Sequence, residues 1–364
     1  MVQTQYLSFC VESGIIYKIV DYMGKITRLE LENFTCFSKL DLDFSNGVNV
    51  LIGVNGTGKT HILKVLYAAC AITVGEGKNK HYVDKLCSVF SPYGGDYQRL
   101  YRRPLAHDAV PSIVIIRDND LKLTTVFPSK KEKVYWLASD DSLWARDTLE
   151  SFYIPVTEML AHAPGFISLF AKREISFEEV YPDVLMQAYL PKLKTLPNPA
   201  YEKMYKDLGK AIGGKVIIKG EHFFLKNKQG EFEFTLVPEG VRKLALIWLL
   251  IQNGVLNPGS VLFWDEPEAN LNPSFVGLVV ETILELQRQG VQVFLTTHNY
   301  VLLKEFDLRK KITDSIRYIS LFCDESDSVV SMSSDTYIGI SNNAISDTFS
   351  DLYQRDIARA LRRD

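Results

Sequence analysis

The stretch VNVLIGVNGTGKT, residues 48–60, decides the fold. Its first half, 48–54, is a short apolar run of the kind found in a strand buried on both faces. Its second half, GVNGTGKT at 53–60, fits the pattern G-x-x-x-x-G-K-[ST] at every fixed position. HILKVLYAACAI follows at 61–72 with helical apolar spacing. A phosphate chain needs backbone N–H groups pointing inward at close range. Gly53, Gly56 and Gly58 allow that approach, and a helix N-terminus adds partial positive charge. Lys59 supplies a point charge for β- and γ-phosphates, and the Thr60 hydroxyl can coordinate Mg²⁺. Strand, glycine loop and helix in this order predict an α/β fold built around a phosphate site.

A second stretch, FWDEPEANLNP at 263–273, ends the apolar run of 260–264 in three carboxylates, Asp265, Glu266 and Glu268. Carboxylates this close repel and raise one another's pKa unless positive charge sits among them. Mg²⁺ takes one or two carboxylates plus phosphate oxygens, so the cation and Lys59 account for the cluster. Asp265, at the end of the strand, is expected to face the metal beside Thr60. Glu266 is expected to accept a proton from the water attacking the γ-phosphate. Glu268 reads as a solvated or structural charge.

The 364 residues, 46% hydrophobic and 23% charged, suffice for one large domain or two ordinary ones. A formal net charge of -3 gives no global sign of a nucleic-acid or membrane partner. Cys10, Cys36, Cys70, Cys87 and Cys323 form no C-x-x-C pair, against a zinc knuckle or disulfide framework. No apolar run approaches the roughly 20 residues of a membrane span, and no signal-peptide pattern opens the chain; a cytoplasmic location is expected.

Residues 1–22 read as an extension, poorly ordered or following an upstream start. The segments 25–37 and 39–44 alternate at strand period. Loops dominate 73–150, with strands at 112–117 and 122–127 and another at 151–156. A proline-interrupted helical stretch covers 158–212, and 215–237 alternates like a meander. Then come a helix from 240, a strand at 260–264, a helix at 274–289 and a strand at 291–296. The tail, 344–362, has Ile345, Phe349, Leu352, Ile357 and Leu361 on one helical stripe. A docked terminal helix is the preferred reading over a partner-binding one.

Asp-Glu-Pro-Glu-x-x-Leu-x-Pro after a strand resembles the Walker B and D-loop segments of ATP-binding-cassette-type ATPases. FLTTHNYVLL at 294–303 resembles the strand and switch histidine that follow there. The opening strand KITRLELENFTCF, 25–37, is similar to the RecF, structural-maintenance-of-chromosomes and overcoming-lysogenization-defect branch. SFYIPVTEML and NNAISDTFSDL look like stand-alone bacterial AAA-family ATPases, several of which belong to anti-phage defence modules. The resemblance implies a P-loop NTPase with an ABC-ATPase-like head, a mixed β-sheet and an inserted helical/β subdomain. The core would be 23–72 and 236–364, and the insert, with lobe strands, 73–235.

It further implies that ATP and Mg²⁺ are held by Asn55, Gly56, Thr57, Gly58, Lys59 and Thr60, with Asp265 on the metal, Glu266 activating water and His298 on the γ-phosphate. VPEGVRK, 237–243, stands where the signature motif belongs, so Glu239 and Gly240 would meet the ATP of the second subunit in a head-to-tail homodimer. The chain departs from the pattern there: the signature serine is absent, and Glu239 repels a phosphate unless turned away. The Q-loop glutamine is also absent, with Glu158 as the best substitute.

Two functions fit. One is an ATP-gated switch subunit that dimerises with ATP and controls a separately encoded effector such as a nuclease, in anti-phage defence. The alternative is a self-contained DNA-binding ATPase of RecF type in repair. For nucleic acid, the candidates are Arg99, Arg102 and Arg103 with Tyr97 and Tyr101, and SKKEK at 129–133 with Tyr135 and Trp136; a solvated loop face fits these clusters equally well.

Overall fold

The computed structural model describes residues 5–12, 15–22, 24–104, 109–128, 137–138, 141–173 and 177–361. In chain order the elements are β1 (Gln5–Glu12), β2 (Ile15–Tyr22), β3 (Ile26–Phe34), β4 (Phe37–Asp43), β5 (Val48–Gly53), α1 (Lys59–Ala71) and α2 (Tyr82–Phe90). There follow β6 (Ser112–Arg117), β7 (Lys122–Val126), β8 (Leu137–Ala138), α3 (Asp141–Arg146), β9 (Ser151–Ile154), α4 (Phe166–Arg173), α5 (Val180–Ala188) and α6 (Pro199–Ala211). Next are β10 (Lys215–Lys219), β11 (His222–Asn227), β12 (Gly230–Glu233), α7 (Glu239–Gln252), β13 (Val261–Asp265) and α8 (Val276–Arg288). The last are β14 (Gln292–Thr297), α9 (Tyr300–Arg309), β15 (Ile316–Cys323), β16 (Val329–Ser334) and α10 (Ala344–Leu361).

The central sheet has the order β16-β15-β5-β14-β13-β9, parallel except for the antiparallel edge strand β16. Its strands β5, β13 and β14 are buried throughout, as expected for parallel strands covered on both faces. Alternation sends their side chains into two cores. Leu51, Phe263, Phe294 and Ile319 join α1, α2 and the antiparallel sheet β4-β3-β6-β7-β8. Val50, Ile52, Leu262, Trp264, Val293 and Leu295 join α5 to α9. The fully buried Gln292 fastens the two sheets: its side chain accepts from Ile26 N at 3.0 Å and donates to the Ile26 and Ser45 carbonyls.

Three expectations change. The extension at 1–22 contains the antiparallel pair β1–β2. The span 73–235, expected as an insert with lobe strands and a helical subdomain, supplies strands to both sheets: β9 pairs in parallel with β13 inside the central sheet and β6 pairs with β3. The tail is a helix as expected, but it is docked only at its start: Ile345 is buried and every residue from 347 to 361 is exposed. No helix among the described residues is long and apolar enough to cross a membrane.

Candidate active site

Strands β5, β13 and β14 are neighbours and parallel, so their C-terminal ends, Gly53, Asp265 and Thr297, open on the same edge of the sheet. In open α/β sheets that edge is where ligands bind. Gly56 and Gly58 take left-handed φ of 87° and 81°. A Cβ on Gly58 would lie 2.4 Å from Phe37 Cζ and 2.5 Å from Cys36 Sγ, while one on Gly56 would meet nothing within 4 Å. The loop is therefore packed tightly on its underside at Gly58 and open at Gly56. Thr57 Oγ1 donates to the Val54 carbonyl at 2.9 Å, and Asn55 is exposed at the tip. Lys59 is buried and donates to the carbonyls of Gly53 at 2.7 Å and Val54 at 3.0 Å. Burial lowers its pKa, opposed by Glu266, Asp265 and Glu268.

Asp265 is buried and accepts from three hydroxyls: Thr60 Oγ1 at 3.0 Å, Thr296 Oγ1 at 2.5 Å and Tyr153 Oη at 3.2 Å. Thr60 and Asp265 thus present oxygen donors side by side, a set that suits a hard cation such as Mg²⁺ completed by phosphate oxygens and water. Glu266, one residue on, has φ of 46°. A left-handed non-glycine residue costs of order 1–3 kcal/mol and persists only where its surroundings impose it. Here Thr296 imposes it: the hydroxyl that donates to Asp265 also accepts from Glu266 N at 3.0 Å. The turn brings Glu266 Oε1 to 3.2 Å from His298 Nδ1, and His298 remains half exposed. Glu266 and His298 form a pair that faces solvent beside the buried Thr60–Asp265 pair.

Glu268 resolves to the structural alternative. It is buried, accepts from Thr297 Oγ1 at 2.6 Å and His298 N at 3.3 Å, and burial raises its pKa. It ties the turn after β13 to the turn after β14 and so fixes the backbone that carries His298.

The signature-like segment lies against the D-loop. A Cβ on Gly240 would stand 2.6 Å from the Asn270 carbonyl, and Lys243 donates to the Ala269 carbonyl at 2.8 Å. Arg242 donates to the Phe234 and Val237 carbonyls, both at 3.0 Å, and its Nε is 2.5 Å from Glu158 Oε2. Glu158 is therefore committed to Arg242 beneath this segment, which removes it as a Q-loop substitute at the phosphates; burial raises its pKa. Among the described residues no hydrogen bond or ion pair joins Glu239 or Gly240 to the 53–60 loop.

The basic clusters divide. SKKEK, Tyr135 and Trp136 fall outside the described residues. Arg102 is spent on the Cys36 carbonyl at 3.0 Å, and Arg99 lies over the Tyr93 ring. With Thr35, Cys36, His61, Phe90, Arg99 and Arg103 in its wall, a groove of about 490 Å³ opens beside the start of α1. The sequence reading missed it. Its one available signal was His61 directly after Thr60. Burial, and secondarily Lys64, push His61 down to about 4, so it is neutral near pH 7.

A family model described as "AAA domain, putative AbiEii toxin, Type IV TA system" matches residues 111–304, more than half of the 364. The chain belongs to this family. A second model, "AAA ATPase domain", matches residues 24–85, which include the phosphate loop. Structural maintenance of chromosomes protein 6A of Arabidopsis thaliana is 50% identical over 46 residues, 13% of this chain and 4% of that protein. DNA replication and repair protein RecF of Oenococcus oeni is 34% identical over 73 residues, 20% of each. The chain thus spans a fifth or less of the length of these relatives. The solved structure of an SMC head bound to the C-winged helix domain of ScpA aligns with a TM-score of 0.50 at 13% identity, over 86% of this chain and 98% of that one. The fold is SMC-head-like α/β, and the local matches are to AAA, RecF and SMC proteins.

Proposed function

We propose that the chain binds ATP with Mg²⁺ on the 53–60 loop and hydrolyses it as an ATP-gated switch. The observation that carries the reading is the continuous run of contacts Thr60–Asp265–Thr296–Glu266–His298 at the end of three adjacent strands, with Thr296 reaching Glu266 through the Glu266 backbone N–H. Asn55 to Thr60 surround the phosphates, and Lys59 turns from the loop carbonyls to the β/γ-phosphates. Thr60 and Asp265 hold the cation, which neutralises developing phosphate charge when bound. Glu266 takes the proton of the attacking water, and His298, 3.2 Å from Glu266, contacts the γ-phosphate. The groove at His61 receives the nucleoside end. Glu239 and Gly240 complete the site from a second copy, because within one chain Gly240 packs on the D-loop and among the described residues no hydrogen bond or ion pair takes either residue to the 53–60 loop. The output is control of a separately encoded effector such as a nuclease in antiviral defence. The family's description, which names a toxin of a toxin–antitoxin system, supports that role.

A RecF-type DNA-binding ATPase is the second reading, favoured by the RecF match and by Arg99 and Arg103 on the groove wall. Tagged Glu266→Gln chain, recovered from its native host in ATP, separates the two. A stoichiometric effector supports the switch. Nucleic acid alone, with ATP-dependent and salt-sensitive affinity, supports the RecF-type reading.

A further inference from the structure

Asp265, the carboxylate assigned above to the cation, is held from both neighbouring strands of its sheet. On one side Thr296 of β14 stands directly opposite it in the parallel register, with its hydroxyl 2.5 Å from Oδ1. On the other side, in β9, the residue opposite Phe263 is Tyr153. Residues two apart on a strand share a face, so Tyr153 and Asp265 are diagonal neighbours on the face that carries α1. Such neighbours stand roughly 7–8 Å apart, a gap that an aromatic or other long side chain can span. Tyr153 spans it with its hydroxyl, which donates to Asp265 Oδ2 at 3.2 Å.

The ring behind that hydroxyl is buried and packs on Tyr67 of α1, with centroids 5.4 Å apart. Tyr67 is fixed in turn, because its own hydroxyl donates to Asp183 of α5 at 2.6 Å. A carboxylate offers about four lone-pair positions. Thr296 occupies one on Oδ1 and Tyr153 one on Oδ2. What is left is the edge that Thr60 straddles, 3.1 Å from Oδ1 and 3.0 Å from Oδ2. Burial on β9 does not by itself secure a partner: Ser151 Oγ, on the same strand, is buried with none among the described residues. We propose that Tyr153 is a positioning residue for the cation, its hydroxyl holding the Asp265 carboxylate with the free edge toward Thr60. The proposal rests on the ATP–Mg²⁺ reading of the site. Hydrogen-bond partners of metal ligands are typically worth 10–100-fold in metal affinity.

Mn²⁺ is the probe. Full-length Glu266→Gln chain, in excess over ATP so that the nucleotide stays bound and uncleaved, is titrated with Mn²⁺. Electron paramagnetic resonance counts the protein-bound metal, and ATP affinity is measured separately in EDTA. Adding Tyr153→Phe, which keeps the ring, is expected to weaken Mn²⁺ binding by about 10–100-fold and to leave ATP affinity in EDTA at the parental value. Tyr67→Phe is the control. It deletes the other hydroxyl of the ring pair, leaves Asp183 bonded to Lys85 at 2.7 Å, and is expected to bind Mn²⁺ as the parent does. Parental Mn²⁺ affinity in Tyr153→Phe overturns the inference alone. So does an equal loss of ATP affinity in EDTA, or a loss of Mn²⁺ shared by Tyr67→Phe, since either makes Tyr153 a packing residue. A parent that binds ATP in EDTA but takes up no Mn²⁺ overturns the cation reading of Thr60 and Asp265, and the inference with it.

Discussion

The two walls proposed to enclose the nucleotide are built by different means. The near wall, 53–60 with 265–268 and 296–298, is closed within one chain. The hydroxyls of Thr60, Thr296 and Thr297 each serve a named carboxylate, and its one strained residue, Glu266, is held by Thr296. The far wall, 237–243, is anchored from below by Lys243 and Arg242 and presents Pro238, Glu239 and Gly240. On the near wall the chemistry dictates side-chain type; on the far wall the anchoring dictates only where the backbone stands. The near wall is therefore expected to be intolerant of substitution, and the far wall to be graded.

The largest expected effect is Glu266→Gln: nucleotide binding retained, with the hydrolysis rate down by about 10²–10⁴, the range for removing a general base. Single-turnover phosphate release alongside nucleotide-binding titration measures both. Hydrolysis at the parental rate would remove the base from the near wall. Gly58→Ala comes next. It combines a left-handed φ of 81° with a Cβ 2.4 Å from Phe37, and it is expected to cost of order 1–3 kcal/mol of stability and weaken ATP binding. Thermal denaturation with and without ATP reads both, and an unchanged midpoint would show that the loop has room the geometry denies.

Much of the near wall was legible because its residue types are local. Gly56, Gly58, Lys59 and Thr60 lie in one octapeptide, and Asp265 and Glu266 end one apolar strand. What escaped depends on long-range contact. Glu268 reads as a surface acid until Thr297, 29 residues away, is placed against it. Glu158 fits a Q-loop from its position after a strand, but Arg242 claims it across 84 residues of chain. Helix α2 was hidden among turn residues, although Tyr82, Val83, Leu86 and Val89 keep helical spacing and are all buried. Strand β9 was assigned to an insert because only its pairing with β13 reveals that it belongs to the central sheet.

The far wall offers a pH test. Arg242→Ala strands the fully buried Glu158 carboxyl, whose pKa burial already raises. A carboxyl with a raised folded-state pKa binds more protons folded than unfolded. Its stabilising contribution is present at low pH and lost as pH rises from the ordinary carboxylate range through the folded value. The variant is expected to fall progressively further below the wild type as pH rises above the ordinary carboxylate range, by at most the roughly 3–5 kcal/mol of a broken buried pair. Glu158→Gln in the same chain should flatten that dependence. Denaturant melts at several pH values read it, and a gap constant with pH would mean that Glu158 does not ionise in this window.

The smallest expected effect distinguishes the walls most finely. Glu239 is the first residue of α7, where a carboxylate is favoured by the helix dipole, and its charge also acts on the buried Lys243. Both interactions draw it toward its own helix, away from a phosphate on the opposite copy. Glu239→Gln should therefore leave ATP-driven association of Glu266→Gln chains within about threefold of the parent, a difference below ~1 kcal/mol. Gly240→Ala, which must displace the Asn270 carbonyl, should weaken that association more. If removing the Glu239 charge instead tightens association tenfold or more, the acid faces the phosphate, and the far wall restrains dimer closure electrostatically.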